Sequence, residues 1–253
     1  MKEIVVELKD ATVHVHNGLS DPKVILDHVN LTIYEHDFIT VLGGNGAGKS
    51  TLFNVIAGTL ALTSGRILIK GEDVTSLSAQ QRAKYLARVF QDPKMGTAPR
   101  MTVLENLHIA SQRGAKRRLI RRSLGQHHTQ YQQLLAKTGN GLEHHLETAT
   151  GLLSGGQRQA LSLLMATLKR PQLLLLDEHT AALDPKTSRS LMQLTEDFVQ
   201  KDQLTALMIT HHLEDALAYG NRVLVMRNGQ IVQDLYQSEK AELHLQDYFQ
   251  FFE

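Results

Sequence analysis

The stretch FITVLGGNGAGKST, residues 38–51, decides how this chain is read. Residues 38–42 form a largely apolar run that stops at Gly43 and Gly44, the mark of a strand buried on both faces. Leu52, Phe53, Val55 and Ile56 then recur at helical spacing over residues 50–57, and Gly58 ends the run. Between strand and helix, residues 43–50 fit G-x-x-x-x-G-K-[ST], in the context that a phosphate-binding loop requires. Gly43, Gly44, Gly46 and Gly48, with Asn45 and Ala47 between them, let backbone N–H groups wrap a phosphate chain, and the helix amino terminus adds positive potential there. Lys49 is placed for the β and γ phosphates, Ser50 for Mg²⁺ and Thr51 for a phosphate oxygen. A glycine turn that merely caps a helix has no need of the Lys-Ser-Thr that follows.

Working outward, residues 173–176 are consecutive leucines that end in Asp177 and Glu178. Two carboxylates thus leave the carboxyl end of a buried strand, where open α/β sheets bind their ligands. Asp177 is read as holding Mg²⁺ through water. Glu178, facing elsewhere, is read as orienting or deprotonating the water that attacks the γ phosphate. No Asn-Lys-x-Asp string occurs, so a guanine-specific pocket has no support. Strands are expected at 4–15, 24–33, 85–90 and 205–209, with a late pair at 222–226 and 230–234 around Asn228-Gly229, and a helix at 186–200. This alternation predicts an α/β core on a mainly parallel sheet. Residues 102–137 show helical spacing with almost no strand signal and are expected to form an inserted helical subdomain. Ser154, before Gly155, Gly156, Gln157 and the apolar-periodic stretch 160–168, reads as a helix N-cap, with the glycines as exposed backbone donors.

Composition narrows the class. The chain has 253 residues, 27 Lys and Arg against 26 Asp and Glu, and 42% hydrophobic residues, so one large folded domain is expected and nucleic acid is not an expected partner. It has no cysteine, which excludes disulfides, thiolate metal sites and cysteine nucleophiles. No apolar run reaches the ~18 to 20 residues that cross a bilayer, and the start of the chain lacks a basic flank leading into an apolar stretch. The chain is therefore expected to stay in the cytosol and to reach a membrane only by docking. Arg113, Lys116, Arg117, Arg118, Arg121 and Arg122 form the one local basic run, read as a solvated helix face or as a contact for anionic headgroups.

Taken together, the cradle at 43–51, Leu-Ser-Gly-Gly-Gln at 153–157 and the pair at 177–178 resemble the ATP-binding-cassette ATPases, over most of the chain. The resemblance implies a P-loop NTPase core with a mainly parallel sheet, an antiparallel β subdomain and an inserted helical subdomain. As a single domain it divides into a core of 1–91 and 160–253 and a helical signature part of 92–159. It implies that Gln91 touches Mg²⁺ and senses the membrane subunit, that residues 181–184 cross to a partner with Asp184 as their acidic residue, and that His211, rather than His212, meets the γ phosphate. Ser154, Gly155, Gly156 and Gln157 then clamp ATP held by a second copy of the chain or a paralogous ATPase. The sequence departs from the family pattern at two places. Val15, between His14 and His16, stands where an adenine-stacking aromatic is usual, and His179 stands where proline most often follows the glutamate.

The resemblance further implies ATP hydrolysis with Mg²⁺ at the cytoplasmic face of the plasma membrane, driving a separate permease and, indirectly, a solute-binding protein. The string at 177–186 resembles importer subunits of amino-acid-type permeases, aromatic amino acids among their cargoes. The alternatives are the energy subunit of an exporter or lipoprotein-extracting pump, or a non-transport nucleotide switch. A small-molecule phosphotransferase has no use for residues 153–157, and the segment between cradle and signature is too short for the heptad arms of a DNA-repair ATPase.

Overall fold

The structure, a computed structural model, describes residues 2–15, 22–115 and 124–240. In chain order the strands and α-helices are β1 (Ile4–Val15), β2 (Lys23–Tyr34), β3 (Phe38–Leu42), α1 (Lys49–Ala57), β4 (Ser64–Ile69), β5 (Glu72–Asp73), α2 (Ala79–Arg82), β6 (Leu86–Val89), α3 (Val103–Ser111), α4 (Leu124–Ala136), α5 (Gly155–Thr167), β7 (Leu173–Asp177), α6 (Pro185–Lys201), β8 (Ala206–Ile209), α7 (Leu213–Ala218), β9 (Arg222–Arg227), β10 (Gln230–Tyr236) and α8 (Gln237–Lys240).

Two sheets carry the fold. One has six strands in the order β10-β9-β3-β8-β7-β6, parallel throughout except for β10, which returns antiparallel to β9. The other has four antiparallel strands in the order β2-β1-β4-β5. Every residue of β3 is buried, as are the four leucines of β7, because both faces of the parallel sheet are covered. The pleat then divides those leucines. Leu173 and Leu175 join a core shared with α1 and the antiparallel sheet, whereas Leu174 and Leu176 join a second core with α3, α5 and α6.

Most expected elements lie within a residue or two of their predicted ends, α1 starting at Lys49 instead of Ser50. The expected helical stretch contains α3 and α4, packed around Leu107, Tyr131 and Leu135. Strands β4 and β5 and the short helices α2, α7 and α8 were not foreseen. The division drawn after residue 159 falls inside α5, one continuous helix that carries the signature residues at its start. Of the basic run, Arg113 is not a free surface cation: it donates to the carbonyls of Ala166, in the last turn of α5, and Lys169, just beyond that helix. Lys116, Arg117, Arg118, Arg121 and Arg122 lie outside the described residues.

Parallel pairing is what gathers the site. Val41 pairs with Ile209, Ile209 with Asp177, and Leu176 with Val89. Hence the loops that follow β3, β8, β7 and β6 leave the sheet along one edge, and with them the cradle, His211, Glu178 and Gln91.

Candidate nucleotide and catalytic site

The cradle is shaped by two close approaches. A side chain at Gly43 would put its Cβ 2.3 Å from the carbonyl oxygen of Met226, and one at Gly48, with φ at 101°, would come within 2.9 Å of the Ile25 carbonyl. No side chain caps α1 and no acidic residue stands in its first turn, so nothing of the protein's own competes for an anion at that helix terminus. Lys49 is 5% exposed, and its ammonium donates to the carbonyls of Gly43 at 2.6 Å and Gly44 at 3.0 Å. Burial pushes its pKa down, while the charge of Glu178 opposes that shift. Ser50 is exposed and Thr51 half-buried in the first turn of the same helix.

Asp177 and Glu178, adjacent in sequence, have different partners. Oδ2 of Asp177 accepts from Nη2 of Arg88 at 2.5 Å. Glu178 adopts a left-handed backbone, φ 45°, and its N–H donates to the Ile209 carbonyl at 3.1 Å. That turn sends its side chain to Nε2 of His211, 2.6 Å from Oε1. His212, also exposed, is held by its own N–H, which donates to Oγ1 of Thr210 at 3.0 Å. Gln91 is exposed just beyond β6, whose following residue Phe90 accepts from Nε2 of Gln159 at 2.9 Å, tying that loop to α5.

Hydroxyl, amide and carboxylate oxygens at Ser50, Gln91 and Asp177 are the hard donors that Mg²⁺ prefers, with Lys49 to share the phosphate charge. The donor chemistry of this edge therefore suits a magnesium nucleotide.

The signature lies elsewhere on the molecule. Ser154 caps α5, its hydroxyl accepting from the Gln157 N–H at 3.2 Å while the Gln157 side chain accepts from the Ser154 N–H at 3.2 Å. A Cβ at Gly156 would meet Cγ2 of Thr187 at 2.4 Å, so a side chain there would have to push that methyl aside. Ser154, Gly155, Gly156 and Gln157 line a pocket of about 690 Å³ with Asp184 and Thr187, and no residue of the cradle lines it. Asp184 also caps α6, accepting from the N–H groups of Lys186 and Thr187 at 3.1 Å each. Its bonds with Thr187 hold its carboxyl below the usual range.

Both departures from the family pattern have local explanations or consequences. His179 is 1% exposed, and its Nε2 lies 2.9 Å from Oγ1 of Thr195. Because that hydroxyl donates to the Leu191 carbonyl at 2.8 Å, Nε2–H is the donor to it, and burial lowers the imidazole pKa to about 4. His179 is thus a neutral tether from the loop after Glu178 to α6. Val15 is 39% exposed at the end of β1, His14 is exposed beside it, and His16 lies outside the described residues. Arg88, Thr195 and Gln159 were missed from sequence; the available signal for Arg88 was a lone arginine within the apolar run 86–90.

Residues 26–181 match the family model described as ABC transporter. A tyrosine transport ATP-binding protein of Clostridioides difficile is 39% identical over 98% of this chain and 99% of its own length. A spermidine/putrescine import ATP-binding protein of Pasteurella multocida is 34% identical over 84% of this chain, which spans 54% of that relative. Among solved structures, an ATP-binding cassette in a dimeric, post-hydrolysis state bound to ADP and Pi superposes with a TM-score of 0.78 at 27% identity, covering 92% of this chain and 98% of that one. The chain is an ABC transporter family member with the P-loop NTPase fold, an ATP hydrolase that energises transport.

Proposed function

We propose that this chain is the ATPase subunit of an importer that drives a separate permease for an amino-acid-type solute, aromatic amino acids first. The near-full-length likeness to a tyrosine transport protein is the observation that carries the reading of the cargo. For the reaction it is the contact between Glu178 and His211 at the edge that also holds the cradle. Glu178 takes the proton of the attacking water, and His211, on the adjacent strand end, steadies that carboxylate and meets the γ phosphate. Lys49 and the N–H groups of residues 43–51 hold the phosphates. Mg²⁺, facing Ser50, Gln91 and Asp177, would neutralise charge on the β and γ phosphates.

The signature pocket and the cradle serve different ATP molecules, so two cassettes, copies of this chain or this chain with a paralogue, close head to tail. ATP brings about four negative charges, and two helix amino termini clamp it better than one. Residues 1–91 and the chain from α5 onward act as the nucleotide-binding core, and the helical signature part runs from residue 92 to the signature residues at the start of α5.

No described helix is long and apolar enough to cross a membrane. The chain works at the cytoplasmic face of the plasma membrane, held by the permease, with a solute-binding protein acting on the permease's far side. Residues 92–100 contribute to the dock, beside an apolar groove of about 440 Å³ lined by Phe90, Gly96, Ile109 and Met165. Co-purification with the permease, followed by ATPase assays in proteoliposomes, tests this. Stimulation by tyrosine or a related solute is expected, and an assembly that exports lipoprotein or drug instead overturns the importer reading.

A further inference from the structure

Arg88 sits on β6, where nothing in the nucleotide motifs asks for a cation. Its guanidinium is shared among three elements. Nη2 donates to Oδ2 of Asp177 at 2.5 Å, Nη1 donates to Oδ1 of Asn54 on α1 at 2.9 Å, and the group lies 4.9 Å from the ring centroid of Phe90, the neighbour of Gln91. The Arg88 and Asp177 side chains are 15% and 16% exposed, so water screens the pair poorly. Nε is buried with no hydrogen-bond partner. The fork is thus set by its two terminal nitrogens and the ring, a geometry that a lysine cannot copy.

We propose that Arg88 is the positioning residue of the metal side of this site. It takes one oxygen of Asp177 and leaves the other for a Mg²⁺-bound water. By gripping Asn54 and Phe90 as well, it keeps in mutual register the three elements that bear Ser50, Gln91 and Asp177. The inference rests on reading those residues as the Mg²⁺-facing set. A pair that merely welds β6 to β7 would affect stability and leave metal dependence alone.

The test is calorimetric ATP binding to the full chain, titrated with Mg²⁺ and repeated in EDTA, for Arg88→Ala, Arg88→Lys, Asp177→Asn and the double variant Arg88→Ala/Asp177→Asn. Arg88→Ala should raise the Mg²⁺ concentration needed for half-maximal ATP binding roughly tenfold or more, the usual effect of removing a group that orients a metal's ligand. Affinity in EDTA should stay as in the parent chain. Arg88→Lys should recover only part, and in the Asp177→Asn background Arg88→Ala should add nothing. An unchanged Mg²⁺ requirement in folded Arg88→Ala, or an equal further loss in the double variant, overturns the proposal. Should Arg88→Ala not fold, Arg88→Lys decides: a partial shift supports positioning and no shift refutes it. If Asp177→Asn by itself leaves the Mg²⁺ requirement unchanged, the reading of Asp177 is what has failed.

Discussion

Nε2 of His211 lies 2.6 Å from Oε1 of Glu178, joining the loops that leave two neighbouring parallel strands. The carboxylate is 14% exposed and the imidazole 43%, so the pair has a sheltered member and a solvent-facing one. Glu178→Gln keeps the shape and loses the base, and hydrolysis should fall by about 10²- to 10⁴-fold while ATP still binds. The nucleotide-bound assembly should then persist, as a homodimer or with a paired cassette. Adding Ser154→Arg should prevent closure, because in the proposed two-site clamp it puts bulk and charge between α5 and the partner's γ phosphate. Light scattering with and without Mg-ATP reads both effects. A Glu178→Gln chain that binds ATP yet stays monomeric, and does not lock the assembled transporter, counts against the base or the two-site clamp.

Lys49→Ala removes the buried ammonium from the cradle. Charge-assisted hydrogen bonds contribute about 1.5 to 3 kcal/mol each, so Mg-ATP affinity should weaken by roughly tenfold or more. Calorimetry checks this, and parent-like affinity would remove Lys49 from the site.

The tether from His179 to Thr195 makes a prediction about stability. Thr195→Val leaves Nε2–H of a buried imidazole without an acceptor, at a cost of about 1 to 3 kcal/mol. His179→Phe in the same chain removes the stranded donor, so the double variant should lose less than the sum of the single ones. Urea denaturation midpoints measure the difference; simple additivity would mean that the two side chains do not act as a pair.

On the proposed reading that Val15 takes the place of the usual ring, stacking worth about 1 to 3 kcal/mol per base is lost. ATP and GTP should therefore bind with comparable affinity. A strong preference for ATP in competition titrations would point to His14 or His16 as the stacking group.

Charge reversal at Lys94 or a charge placed at Met95, which is 70% exposed beside the groove, should uncouple transport from hydrolysis. Nucleotide binding by the isolated subunit should not change. Parent-like transport by every such variant argues against docking there.

The amino-acid sequence alone determined the elements whose logic is contiguous. Residues 38–57 spell strand, loop and helix within a single window, and Ser154 with Gln157 spells a capped helix start, because these contacts run between residues a few positions apart. Strand β4 escaped notice because Ile67 and Ile69 are its only buried residues, too few for a period, and its partner β1 lies far back in the chain. Tertiary structure alone decided that Arg88 would meet Asp177, 89 residues away, and that Glu178 would meet His211. Hydrophobic periodicity tells which face of a strand is buried but not which strand lies beside it. That neighbour is chosen by the packing of both cores against the whole sheet, and with it the partners of every charged group at the strand ends.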